Sequence, residues 1–330
     1  MLREWPCHGT LPMTRTLLIA ALSLAAPLAG RAAAHPPWGI AVDHQGRVYF
    51  ADIDHGNHIW RIEAPGKLTS VVSGRHSHDL HLDRTGNLFV AHVAYIPDGE
   101  RWESQLLKVE PSGSSSVTIP PTTDRKRFWG NAFTLDRDGN VYFGYTNNPR
   151  AGEAADESLL LRRSPDGRVA VLAGSTRGHR DGIGRQAQFE AINGLAWGPD
   201  GVLYVSDHDT VRKVTRDGAV TTLARDLVVR TPAHEPFGGS NHLFGLAVAA
   251  GGAVYVADYG SRRILKISTE GRAATAAMSE PPWAPTGVAV VGDDLYLLEV
   301  GYTGTGSSLG PRVRKVSAGG KAAILATVNE

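Results

Sequence analysis

The sequence predicts an all-β fold, a six-bladed β-propeller of four-stranded antiparallel blades. Three observations carry this: one hairpin pattern recurs six times, apolar residues follow strand periodicity throughout, and turn residues are abundant. Of 330 residues, 38 are Gly and 19 Pro, while 42% are hydrophobic and 20% charged. Such a chain turns often and still buries a sizeable core, which excludes a disordered, collagen-like or disulfide-stapled protein. A formal net charge of +1 provides no field for nucleic acid, and no nucleic-acid partner is expected.

Residues 1–34 stand outside the repeat. Arg3 and Arg15 precede an apolar run from Leu17 to Ala26, and small residues lead to Ala32-Ala33-Ala34 before His35. A charged start, a short apolar middle and a small-residue end predict a secretory signal peptide over 1–34, leaving a propeller of 35–330. The apolar run is about half of the ~20 residues that span a bilayer, so no membrane span is expected. Met13, just before Thr14-Arg15, is an alternative start to Met1. The one cysteine, Cys7, leaves with the signal peptide, so the mature chain has neither disulfides nor thiolate ligands. Its net charge becomes −1, and a secreted or periplasmic monomer is expected.

The repeat itself begins at 39–52, Gly-Ile-Ala-Val-Asp-His-Gln-Gly-Arg-Val-Tyr-Phe-Ala-Asp. It returns at 79–92, 132–145, 194–207 and 245–258, and one residue shorter at 287–299. Turn glycines fall at 46, 86, 139, 201 and 252, with Asp293 marking the sixth turn. Apolar and small residues alternate up to each glycine, and a β-branched or aromatic stretch follows, as a hairpin requires. Third strands are read at 59–62, 106–109, 211–214, 264–267 and 313–316, and a fourth, for example, at 219–223. In four of the six units the first strand is small on one face (Gly39/Ala41, Gly194/Ala196, Gly245/Ala247, Gly287/Ala289) and large on the other. Wedges crowding at an axis need that alternation to interdigitate. The apolar stretch 322–328 favours a closed ring over an open solenoid, which needs polar end caps.

At these residues the chain resembles the NHL-repeat propellers. The fourth copy matches best, with Arg180-Asp181-Gly182-Ile183-Gly184, Ala187-Gln188-Phe189, Asn193-Gly194-Leu195 and Tyr204-Val205-Ser206-Asp207. The likeness covers essentially all of 37–328 and implies a fold rather than an activity. A second likeness is narrower. Ile192-Asn193-Gly194-Leu195-Ala196-Trp197 is similar to the metal-binding Asn-Gly segment of gluconolactonase-like propellers, and Phe128-Trp129-Gly130-Asn131 to their substrate-site Asn segment. That resemblance implies a divalent ion at the channel mouth and metal-assisted lactone or ester hydrolysis. Trp38 and Phe244 stand where the family has Glu and Asp ligands, which removes charge that holds a hard cation. The zinc site of amidating-lyase propellers, similar in plan, is matched only by His78.

The rim opposite the Gly turns takes the long connections, read as loops at 93–104, 120–130, 146–157, 174–192, 225–242 and 300–311. Two positions per blade face the axis there. The first precedes the first strand: Trp38, His78, Asn131, Asn193, Phe244 and Thr286. The second ends the second strand: Asp52, His92, Tyr145, Asp207, Asp258 and Glu299. From these, with Trp129, the candidate ligand-binding residues are Trp38, His78, Trp129, Asn131, Tyr145, Asn193, Asp207, Phe244, Asp258 and Glu299. Their mixture of aromatic, amide, imidazole and carboxylate groups suits a small polar ligand, a glycan, a peptide or an extracytoplasmic protein. The aspartates at 52, 207 and 258 are read first as caps of the following loop, with ligand contact as the alternative.

For one divalent ion, zinc or calcium, the candidate ligands are His78 and His92 through nitrogen and Asn193, Asp207 or Glu299 through oxygen. His81, lying between blades, is read as a hydrogen-bonded core residue. The charge run 124–127 is read as a solvated loop, with an anionic ligand as the alternative. No dinucleotide fingerprint, P-loop or nucleophile elbow occurs. Two classes remain, a ligand-binding propeller and a metal-assisted hydrolase.

Overall fold

A computed structural model describes residues 36–99, 101–147, 156–229, 242–302 and 308–328. The predicted signal peptide at 1–34 lies outside the described residues. The rest is a six-bladed propeller whose blades are antiparallel sheets with strands in chain order from axis to edge. Blade one comprises Ile40–Val42, Val48–Asp52, His58–Ala64 and Lys67–Val72. The first strands of blades two to six are Leu80–Leu82, Phe133–Leu135, Ile192–Trp197, Leu243–Val248 and Trp283–Val291.

The hairpin turns form as their residues dictate. Gly46, Gly86, Gly139, Gly201 and Gly252 all take positive φ, between 75° and 85°. In the first three blades an aspartate secures the turn: one oxygen of Asp43 accepts from the N–H groups of Gln45 and Arg47, and Asp83 and Asp136 repeat the arrangement. In the sixth blade the positive φ falls on Gly292 rather than on Asp293. Val291 pairs with Asp294 across a two-residue turn, and only glycine enters that conformation without strain.

Six hydrophobic cores hold the ring, one between each pair of neighbouring blades. Phe50 and Ile62 of blade one meet Leu298 and Val313 of blade six, while Tyr49 and Ile59 face Leu80 and Val90 of blade two. The other four clusters continue around the axis. The small faces read from sequence lie where backbones approach closely. A Cβ on Gly287 would stand 2.0 Å from the Trp38 carbonyl oxygen, and one on Gly39 2.7 Å from the Leu80 nitrogen. Blade one is also bonded to blade two through the N–H groups of Trp38 and Gly39, both 2.8 Å from His78 O.

Two of the expected long loops are strands instead. In blade two the hairpin Leu88–Ile96/Arg101–Val109 continues past the blade, as does Asp294–Tyr302/Ser308–Val316 in blade six. The alternation through Val93, Tyr95 and Trp102 carries the ladder outward, with Tyr95 directly opposite Trp102. Blade four gains a fifth strand, Gly182–Ile183, which pairs with Ala219 and Val220 at its outer edge. A short 3₁₀ turn over Gly184–Gln186 follows it.

Candidate functional site

The two predicted rings of side chains separate into different roles. Those ending the second strands are mostly turned into the scaffold. Asp207, fully buried, accepts from the backbone N–H groups of Glu190 (2.7 Å) and Ala191 (2.8 Å) on one oxygen and from Arg212 Nη1 (2.9 Å) on the other. Asp258 accepts from Ser261 N and from Arg263 Nε at 2.8 Å. Asp52 caps Asp54 and His55 and receives the Trp60 indole N–H at 3.0 Å. Glu299 is held by Arg312 Nε at 2.6 Å, Arg314 Nη2 at 2.8 Å and the Ser279 hydroxyl. A buried carboxylate with both oxygens so engaged has little capacity left for a ligand. The partner was in the sequence: Arg212 and Arg314 lie inside stretches already read as third strands.

The residues preceding the first strands form the mouth. Trp38 is buried and stacked on His78, with ring centroids 5.2 Å apart, and the tilted Phe244 ring lies 5.8 Å from Trp38. His78 meets His76, a residue that periodicity did not single out. Their Nε2 atoms are 3.2 Å apart, and His76 Nδ1 is 2.9 Å from Asn57 Oδ1. From Phe244 the rings continue through His242 (4.6 Å) and His208 (6.5 Å) to His179 (6.3 Å). Seven rings thus form one contiguous chain, from His76 on blade two to His179 ahead of blade four. Loops supply four of its imidazoles, where no periodicity could point to them.

Several polar atoms on this rim are buried without a hydrogen bond: Trp38 Nε1, His92 Nδ1, Arg125 Nε, Asn131 Oδ1 and His208 Nδ1. His92 is half-buried, and desolvation, with the charges of Arg75 and His76, holds its imidazole pKa below the usual value. Asn193 spends its amide on Leu243 O at 3.0 Å, tying blade four to blade five. Thr286 donates to Leu298 O. Trp129 and Tyr145 are buried beside Arg125, whose guanidinium lies over the Trp129 ring.

Beneath the mouth, blade two departs from its siblings. Asp79 occupies the position that is glycine in four other blades, and its carboxylate reaches across to blade three, accepting from Phe133 N at 3.3 Å as well as from Leu80 N. It is enclosed by protein yet still touched by solvent along the channel, and desolvation raises its pKa to about 7. The Trp38 indole lies close enough to temper that rise without making a hydrogen bond of ordinary geometry. His81 meets Thr134 Oγ1 at 3.2 Å, the bonded core histidine expected, and desolvation depresses its pKa to about 4.

Among the described residues no three His, Cys, Asp or Glu side chains converge in a geometry for a metal ion. The predicted oxygens of Asp207 and Glu299 face arginines, and two imidazole nitrogens fall short of the three or more protein ligands of a zinc site. The donors present at the mouth do not fit a hard cation. On the opposite rim a shallow depression between blades one and two includes Asp43 and Asp83, which are occupied by their own turns. No helix among the described residues is long and apolar enough to cross a membrane.

Comparison with known proteins extends this picture. No curated protein matches the chain. Among solved structures, virginiamycin B lyase from Staphylococcus aureus is similar at 15% identity over 89% of this chain and 85% of that one, with a TM-score of 0.53. A gluconolactonase from Xanthomonas campestris gives 16% identity over 80% and 83%, TM-score 0.51. A protein of unknown function from Bacteroides thetaiotaomicron gives 14% over 87% and 69%, TM-score 0.57. At such identities the likeness is one of fold. The family model for the SMP-30/Gluconolactonase/LRE-like region matches residues 103–300, well over half of the chain, and the protein belongs to that family.

Proposed function

We propose that the protein is an exported propeller that binds a small polar, ring-bearing ligand, such as a glycan fragment or a lactone, at the channel mouth. The observation that carries this is the convergence of buried polar atoms without hydrogen bonds on that one rim, at Trp38, His92, Arg125, Asn131 and His208. Buried polar groups are costly unless satisfied, and a ligand entering the mouth satisfies them. The chain of aromatic and imidazole rings supplies flat faces for a sugar or lactone ring, and the exposed Tyr95–Trp102 pair adds another on the same side. The 1–34 segment, read as a signal peptide, and the NHL-like repeat pattern support an extracytoplasmic binding protein.

Calorimetric titration with neutral sugars, aldonolactones and short peptides tests the reading. Saturable binding of at least one probe is expected, weakened about tenfold by Asn131→Ala and unchanged by His44→Ala on the opposite rim. Binding that ignores Asn131, or no binding at all, overturns it.

A second reading is favoured by the Asn57–His76–His78 chain: lactone or ester hydrolysis, with His78 as general base. Asn57 Oδ1 accepts a hydrogen bond from His76 Nδ1–H, so neutral His76 presents a lone pair at Nε2 and accepts from His78 Nε2–H. The basic nitrogen of His78 is then Nδ1, itself a buried atom, and in this reading it activates a water admitted with the substrate. Turnover of a lactone panel that persists in chelator and is lost in His78→Ala supports this reading. Turnover abolished by chelator assigns the reaction to a metal.

A further inference from the structure

Arg125 is a cation of the mouth with no carboxylate partner among the described residues. It lies half-buried in the connection between blades two and three, its guanidinium 4.1 Å from the centroid of Trp129 and 5.8 Å from that of Tyr145. Its one hydrogen bond among the described residues is a long one, Nη2 to Thr146 O at 3.4 Å. Nε is buried and donates to nothing, while Nη1, also without an acceptor, remains open to solvent. No described carboxylate pairs with it. Asp124, its neighbour in sequence, pairs with Arg127, and Glu157 pairs with Lys126 and Arg185.

Other well-shielded arginines behave differently. Arg212, Arg263, Arg312 and Arg314 each pair with a buried carboxylate. Desolvation without a counter-ion is unfavourable for a guanidinium, and burial indeed lowers the pKa of Arg125. The Trp129 and Tyr145 faces offset only part of this. A planar anion docked end-on at the two Nη atoms completes the group, since the guanidinium fork matches a carboxylate. Lys126, 5.3 Å from the Tyr145 ring, adds positive potential to the same wall.

We propose that Arg125, Trp129 and Tyr145 form an anion subsite of the mouth that takes a carboxylate of the bound ligand, of the hexuronate kind. The subsite rests on the reading of the mouth as a ligand site and adds the charge class of that ligand.

The test is a titration of the protein with glucuronate and with its uncharged methyl ester. Glucuronate is expected to bind at least about tenfold more tightly than the ester. Arg125→Gln should erase the preference for acid over ester, weakening glucuronate by about tenfold more than the ester, and keep the melting temperature of the parent. Arg125→Lys should recover only part of the loss, and Arg127→Gln, an exposed charge nearby, should cost less than about twofold. Equal affinity for acid and ester overturns the subsite, as does an equal loss in Arg127→Gln, which would signify a diffuse field. Absence of saturable glucuronate binding also overturns it, whereas the mouth reading stands or falls on neutral probes and Asn131.

Discussion

His76 and His78 face each other through their Nε2 atoms at 3.2 Å, with Asn57 Oδ1 2.9 Å behind His76. Two imidazole nitrogens at that separation share a single proton, and the amide oxygen decides which ring supplies it. In neutral solution His78 is expected to be the Nε2–H tautomer. Long-range ¹H–¹⁵N NMR of the imidazole rings checks this, and His76→Leu should abolish the preference. An Nδ1–H form of His78 in the parent protein would reverse the order of the chain.

The Asp207–Arg212 pair predicts a large stability effect. Both side chains are almost fully buried, at 0% and 1% exposure. Arg212→Leu strands a carboxylate in the core and is expected to cost about 3–5 kcal/mol in chemical denaturation. Removing both charges, in Asp207→Leu/Arg212→Leu, should cost less than the sum of the single replacements. Full additivity would mean that the two charges do not interact.

Asp79 and His81 set opposing pH dependences. The folded pKa of Asp79 is raised to about 7, so the unfolded chain releases the proton first and stability falls as pH rises from about 4 to 7. The folded pKa of His81 is depressed to about 4, so the unfolded chain gains the proton first and stability falls as pH drops from about 6.5 to 4. Each slope is bounded by about 1.4 kcal/mol per pH unit, and channel water reduces it. The two oppose each other in the parent. Asp79→Asn should therefore lose stability on acidification over this range, and His81→Leu on alkalinisation. Denaturation midpoints of the three proteins at several pH values decide it.

Gly287 marks the contact between blades six and one. A methyl group there meets the Trp38 carbonyl at 2.0 Å, backbone that has no room to move. Gly287→Ala is expected to destabilise by about 1–3 kcal/mol, while Gly251→Ala, which meets nothing within 4 Å, should remain within about 0.5 kcal/mol. Equal melting temperatures for the two variants would show that the seam is loose.

The hairpins were legible because their information is local: a turn glycine, an aspartate three residues before it, alternation on either side. The side-chain networks were less so. Asp207 and Glu299 carried the composition of ligands, and only the register of the third strand reveals that Arg212 and Arg312 consume them. His179, His208 and His242 come from loops and turns, where the ring that a side chain joins is set by closure of the whole circle rather than by its neighbours in sequence. Gly292 took the turn assigned to Asp293 because a shortened hairpin shifts the positive φ by one residue.

The four principal strands of every blade run outward in chain order, the added outer strand Gly182–Ile183 of blade four apart, and blades one and six each contain only their own consecutive strands. Among the described residues no strand of blade one joins the sheet of blade six, nor the reverse. Strand contacts therefore fall mostly within one blade, and each blade can assemble soon after its own residues are available. The contacts across the seam, of Phe50 and Ile62 with Leu298 and Val313 and of Trp38 with Gly287, are different. They bring together segments separated by almost the whole propeller, and their loop-closure entropy is recovered only when the five other interfaces are in place. The expected folding order is sequential growth of an open arc, with the clasp between blades six and one formed last and opened first.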